Sequence, residues 1–151
     1  LLVAEGNLRA YPVLKLAGAL EAGRVREALR RLRRGEWVAL FPEGERRYPG
    51  PLGPLREGAN WLARKAGVPL LPVALRVVLR GYEHPEAFLW VGRPLPPGGD
   101  LGRALGGLLQ ALDALLAKTH PREVPEGFRE VLRGRRSLEE RVLPLVRLLR
   151  P

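Results

Sequence analysis

The residues able to do chemistry concentrate between Arg24 and Ala74. Phe41-Pro42-Glu43-Gly44-Glu45-Arg46-Arg47 follows an apolar run and sets carboxylates and two guanidinium groups around a glycine. At the mouth of a sheet, that combination suits a polar, anionic ligand. Gly44 lets the backbone turn sharply or approach such a ligand closely. Arg56, at the start of the next helical stretch, could reach the same anion or simply face water. Arg24 heads an arginine-rich helix with the same two readings. Further on, Val68-Pro69-Leu70-Leu71-Pro72-Val73-Ala74 enters an apolar strand through two prolines, which suggests a rigid, specifically shaped wall. The two histidines, His84 and His120, each precede a proline and read as turn residues.

Elements of alternating type must position these groups. Leu1–Ala4 reads as a short strand, and Asn7 as the cap of a helix reaching about Ala17. Arg24–Arg34 is a helix with Val25, Ala28, Leu29 and Leu32 on one stripe, stopped by Gly35. Glu36–Phe41 reads as a buried strand, Arg56–Ala66 as a helix ended by Gly67, Leu70–Leu79 as a central strand and Ala87–Gly92 as another strand. Asp100 caps a long Leu-striped helix to about Lys118, and Ser137-Leu-Glu-Glu140 opens a last one. Trp37, Trp61 and Trp90 sit in apolar periodic segments and read as core. The fold class expected is α/β: a mixed sheet flanked by helices, with residues 1–99 as the main domain and 100–151 as its C-terminal helical extension.

Composition narrows the partners. The chain has 151 residues, a net charge of +10 and no cysteine, which excludes disulfide frameworks, Cys-based zinc sites and thiol catalysis. The longest uncharged stretch, Ala66–Leu75, is far below the roughly 18 apolar residues of a helical membrane span. The basic excess points to nucleic acid, phosphorylated metabolites or an acidic membrane surface. Arginine outnumbers lysine 23 to 3, which suggests a thermophile with a GC-rich genome. Methionine is absent, even at position 1.

In order and spacing, F-P-E-G-x-R at Phe41–Arg46, L-R-E-G-A at Leu55–Ala59 and V-P-L-L-P-V-A at Val68–Ala74 resemble the glycerolipid acyltransferases, among them the 1-acyl-sn-glycerol-3-phosphate (lysophosphatidic acid) acyltransferases. The resemblance covers about Leu1 to Pro96. Gly18 and Arg24 match the family's G-x-x-(aromatic)-x-x-R spacing, with Glu21 in the aromatic position. Glu45 stands where the family has Thr or Ser.

The resemblance implies acyl transfer from acyl-CoA or acyl carrier protein to a hydroxyl of lysophosphatidic acid or a related lysolipid or glycerol phosphate, in phospholipid biosynthesis. The acceptor site would comprise Arg24, Phe41, Pro42, Glu43, Gly44, Arg46 and Arg56, with Glu43 holding a hydroxyl or orienting an arginine. Val68, Pro69 and Pro72 would line the acyl-donor side. No metal or resident cofactor is implied, and the expected location is the cytoplasmic face of the cell membrane, as a peripheral protein. The family's base is a histidine in an H-x-x-x-x-D block, which these residues lack: Leu89 follows His84 at that spacing and Pro125 follows His120. The expectation is that the pair lies upstream of Leu1 and that these 151 residues alone are inactive. Two rival readings are a non-catalytic homologue that only binds lipid phosphate and a basic nucleic-acid-binding module. The latter lacks RNP-like aromatics, a zinc pattern and an obvious helix-turn-helix.

Overall fold

The structure is a computed structural model and describes residues 1–3, 5–16, 18–45, 50–81 and 83–134. The Ser137–Glu140 capping box lies outside the described residues. The chain forms two compact units, the first Leu1–Pro72 with Gly92–Gly106, the second Val73–Val91 with the described residues of Gly107–Pro151.

In the first unit, β1 (Leu2–Val3) pairs in parallel with β2 (Leu20–Glu21), in the register Leu2↔Leu20 and Val3↔Glu21. On its other side, the Leu2 N–H donates to the Ala39 carbonyl at 2.9 Å. The single helix expected from Asn7 to Ala17 is instead two, α1 (Glu5–Ala10) and α2 (Val13–Leu16). Asn7 lies inside α1, where its carbonyl accepts the Tyr11 N–H at 2.9 Å. Pro12 has no N–H to continue that ladder, so the helix breaks there.

The stretch 36–41 departs from the expected buried strand. It is an extended segment tied to β1 by the Leu2–Ala39 bond, with Val38 and Leu40 turned inward and Trp37 83% and Phe41 66% exposed. The alternation of an extended chain explains the difference: Glu36-Trp-Val-Ala-Leu-Phe41 has apolar residues on both faces, and only one of them is packed. Trp61 is also exposed, so two of the three tryptophans are not core residues.

Helix α3 (Val25–Arg33) fully buries Ala28 and packs on α4 (Gly58–Ala66). Gly67 ends α4 at φ +69°, in the left-handed region that a residue with a Cβ enters at a cost. Asp100 caps α5 (Leu101–Lys118) as expected: its Oδ1 accepts the Arg103 N–H at 2.9 Å. The first residues of α5 supply Leu101 and Leu105 to a cluster with Ala59, against which Leu40, Leu52, Leu55, Leu70 and Leu95 pack. Each leucine buried there contributes about 1.5–3 kcal/mol relative to exposure.

In the second unit, β3 (Val73–Val78) and β4 (Glu86–Val91) form an antiparallel pair from Val73↔Val91 to Val78↔Glu86. The strand expected at 70–79 is therefore shorter and belongs to a two-stranded ribbon. Pro72 supplies no N–H to a ladder, and Leu70 instead makes an isolated bridge to Leu95. One face of the ribbon buries Ala74 and Phe88, with Phe128 edge-on to Phe88 and Trp90 at 5.8 Å from each. The other face, bearing Leu75, Val77, Leu89 and Val91, is exposed. Arg76 grips Asp113 of α5 through two bonds of 2.7 and 2.8 Å, and these hold the Asp113 carboxyl below its usual range. Arg80 lies 5.2 Å over the Phe88 ring and donates to the carbonyls of Thr119, His120 and Glu123, just past the C-terminus of α5.

Candidate acceptor-binding turn

The site is built around a turn at the end of the 36–41 segment. The Gly44 N–H donates to the Phe41 carbonyl at 3.1 Å, and Gly44 takes φ +73°, so the chain reverses through a conformation that favours glycine. The Arg56 N–H donates to the Pro42 carbonyl at 2.8 Å, pinning the approach to α4 against this turn. The side chain of Arg56 then lies across Gly44. A Cβ at Gly44 would stand 2.8 Å from Arg56 Cδ, 3.0 Å from Cζ and closer still to Nε. The missing side chain is thus what gives the guanidinium its place. Glu43 is half-buried in the same turn, while Gly44 and Arg56 are exposed, so the Arg56 side chain lies over the glycine and faces solvent.

Phe41, Pro42, Glu43, Gly44 and Arg56 are therefore brought together. Arg46 and Arg47 lie outside the described residues. Arg24 occupies the N-cap position of α3, where its N–H donates to Glu21 and its carbonyl accepts from Glu27 and Ala28. Its side chain is exposed and makes no hydrogen bond or ion pair with the turn among the described residues.

The proline-flanked stretch follows Gly67 directly. The Val68 N–H donates to the Ala63 carbonyl at 3.1 Å, closing the end of α4. Pro69 is exposed, and Leu70 exchanges two backbone bonds with Leu95, of 2.9 and 2.8 Å. Pro72 is buried and accepts the Gly92 N–H at 2.9 Å, so this wall is fixed at both ends. Leu40, just before Phe41, and Leu70, inside the wall, pack on the same Ala59–Leu101–Leu105 cluster. Turn and wall stand on one core.

The histidines take the turn roles expected of them. His120 Nδ1 accepts the Arg122 N–H at 3.3 Å, and His84 Nε2 lies 3.8 Å from the Glu83 carboxylate, half-exposed. Among the described residues, no group of three or more His, Cys, Asp and Glu side chains is arranged to hold a metal ion.

What residue types alone did not reveal is that Arg56 lies over Gly44. The usable signal was the glycine itself, since a turn needing a positive φ also leaves room for a neighbour's side chain. The exposure of Trp37 was likewise missed, although strict alternation within 36–41 marks it as lying opposite Val38 and Leu40.

Residues 9–76, which include both the turn and the wall, match the model of the acyltransferase family. The chain is 33% identical over 98 residues to a 1-acyl-sn-glycerol-3-phosphate acyltransferase of Pseudomonas aeruginosa, covering 58% of this chain and 37% of that protein. It is 46% identical over 44 residues to a chloroplastic 1-acyl-sn-glycerol-3-phosphate acyltransferase of Brassica napus, covering 29% of this chain and 13% of that protein. The matches thus span little more than a third of the first relative and less of the second. No solved structure matches the chain. Over residues 9–76, which carry the motif-bearing turn and wall, this chain is similar to the acyltransferase family and to these two 1-acyl-sn-glycerol-3-phosphate acyltransferases.

Proposed function

We propose that the chain carries the acceptor-binding part of an acyltransferase that moves a fatty acyl group from acyl-CoA or acyl carrier protein to a hydroxyl of lysophosphatidic acid or a related lysolipid or glycerol phosphate. The observation that carries this reading is the Arg56 guanidinium laid across Gly44, beside Glu43, within the region that matches the family. A guanidinium presented at a fixed position binds a phosphate monoester through paired N–H donors. Arg46 and Arg24 join it as further phosphate contacts, and Glu43 accepts a hydrogen bond from an acceptor hydroxyl. Val68, Pro69 and Pro72 bound the side on which the acyl donor sits. Residues 1–99 form the acyltransferase domain proper, in an α/β fold of the family's type, and 100–151 its C-terminal extension, opened by α5. The protein works at the inner face of the cytoplasmic membrane, where its lipid substrate resides.

In the reaction, the acceptor oxygen attacks the thioester carbonyl, its proton passes to a base, and the donor thiol leaves. A histidine oriented by a carboxylate is the usual base for such a hydroxyl. These 151 residues contain no H-x-x-x-x-D, and His84 and His120 are turn residues of the second unit. This chain's part is to bind and orient the acceptor.

The test is transfer of a radiolabelled acyl group from acyl-CoA to lysophosphatidic acid by the protein made from its whole reading frame. Phosphatidic acid should form, and Arg56→Gln should raise the acceptor KM about 10- to 100-fold, as expected for loss of a charged hydrogen bond. No transfer across a broad panel of acceptors and donors would remove the enzyme reading. Turnover by the 151-residue chain alone would remove the account of the base.

A further inference from the structure

Helix α3 carries far more charge than its packing needs. Its apolar stripe, Val25, Ala28, Leu29 and Leu32, faces the first unit's interior, with Ala28 fully buried. At 100° per residue, Arg26, Arg30, Arg33 and Arg34 fall together on one flank of the remaining surface, and all four are exposed. Glu27 and Glu36 serve the opposite flank, holding Arg31 between them at 3.6 and 3.7 Å, and Glu27 also reaches Arg30. Arg26 and Arg34 have no ion pair among the described residues. Arg33 donates to the backbone carbonyl of Lys65 at the end of α4, and Lys65 is itself exposed. A helix C-terminus favours a cation beside it, which suits Arg33 at the end of α4.

A second, independent feature lies at the end of the same helix. The chain turns back through Gly35 at φ +81°, the Glu36 N–H bonds to the Arg31 carbonyl at 3.0 Å, and the next residue is Trp37, 83% exposed. An indole left almost wholly in water, three residues past Arg34, which has no carboxylate partner among the described residues, is unfavourable for a surface that faces only solvent. It suits the boundary between headgroups and acyl chains, where the ring is half-buried and its N–H stays wet.

We propose that the Arg26–Arg30–Arg33–Arg34 flank of α3, with Lys65 and Trp37, is the surface on which this protein docks to an anionic lipid bilayer. The guanidinium groups pair with headgroup phosphates and Trp37 enters the interfacial layer. The choice of a bilayer over other polyanions rests on the acyltransferase reading; the cluster and the exposed indole do not. The arginines concerned lie outside the acceptor turn, so docking and acceptor binding are separable.

The test uses the full 151-residue chain with vesicles of phosphatidylcholine, alone or with about 30% phosphatidylglycerol, at low and high salt. Binding should favour the anionic vesicles and weaken with salt. At about fivefold per basic residue near the surface, Arg26→Gln with Arg34→Gln should lower the partition constant about 25-fold. Both side chains are exposed, so the double variant should unfold at the wild-type temperature; Lys65→Gln gives a second, single-charge readout of about fivefold. Tryptophan emission should shift to the blue on anionic vesicles and lose that shift in Trp37→Phe. Equal binding to neutral and anionic vesicles, or wild-type partition by the folded double variant, overturns the proposal. So does tighter binding to duplex DNA than to anionic vesicles without a Trp37 shift on vesicles. Vesicle binding through these residues by a protein that transfers no acyl group would remove the function and keep the surface. Acyl transfer with vesicle binding indifferent to the double variant would do the reverse.

Discussion

Replacing Gly44 with alanine separates two effects that the turn combines. The first is conformational: at φ +73° a residue with a Cβ is disfavoured by about 1–2 kcal/mol, whatever surrounds it. The second is steric. The new methyl would lie 2.8 Å from Arg56 Cδ and 3.0 Å from Cζ, where ordinary carbon contacts are about 3.5–4.0 Å. Arg56 is exposed and has room to move outward, so its side chain should swing away before the turn unfolds. Gly44→Ala should therefore destabilise the chain by about 1–2 kcal/mol in urea unfolding. It should also weaken binding of glycerol 3-phosphate by about 10- to 100-fold, the worth of one charged hydrogen bond of about 1.5–3 kcal/mol. The discriminating assay is a double-mutant cycle with Arg56→Ala, read by calorimetric titration of glycerol 3-phosphate alongside unfolding. With Arg56 already truncated, Gly44→Ala should still destabilise the fold by the conformational amount but cost no further affinity. Additive losses of affinity would show that Gly44 acts on the ligand independently of Arg56, and wild-type affinity in Gly44→Ala would show that the guanidinium takes no part.

Three further outcomes follow from contacts in the rest of the chain. Hydrogen bonds from Arg76 lower the Asp113 pKa below its ordinary 3.8, so this pair contributes stability above that pH and loses it as pH falls through the lowered value. Asp113→Asn should remove that part of the acid sensitivity and cost only about 0.5–1 kcal/mol at neutral pH, since the carboxylate is half-exposed; a wild-type-like slope of urea midpoint against pH below 4 would contradict it. Arg80→Met keeps much of the apolar stem but leaves the carbonyls past α5 without their cation, which should cost about 2–3 kcal/mol in thermal or urea unfolding. Asp100→Ala removes the cap of α5 and should cost about 1 kcal/mol, with Asp100→Asn recovering most of it.

Features decided within a few residues were legible in the sequence, and features decided by what lies opposite a surface were not. Gly35 and Gly67 end α3 and α4 where glycine signals an end, and Asp100 opens α5, because each acts on backbone groups one turn away. Pro12 was equally local, yet the helix expected from Asn7 to about Ala17 runs across it; the break between α1 and α2 follows from its missing N–H. Trp37 and Phe41 are different. An apolar residue in an extended segment is buried only if another element covers its face, and no local pattern states whether one does. The candidate site divides in the same way. Glu43, Gly44 and Arg56 could be picked out by type and spacing. Their assembly depends on the long-range bond from Arg56 N–H to the Pro42 carbonyl, and on Leu40 and Leu70 sharing the cluster around Ala59. That shared footing has a mechanical consequence. The turn at Gly44 and the proline-flanked wall are rooted in one apolar cluster, so loosening the cluster should disturb both together, whereas truncating Arg56 should affect the proposed acceptor binding alone. Leu70→Ala, on the wall side, should therefore weaken glycerol 3-phosphate binding at the turn without touching any group that contacts the phosphate. Unchanged affinity in a destabilised but folded Leu70→Ala chain would mean that the turn is held by its own hydrogen bonds and owes nothing to the core beneath it.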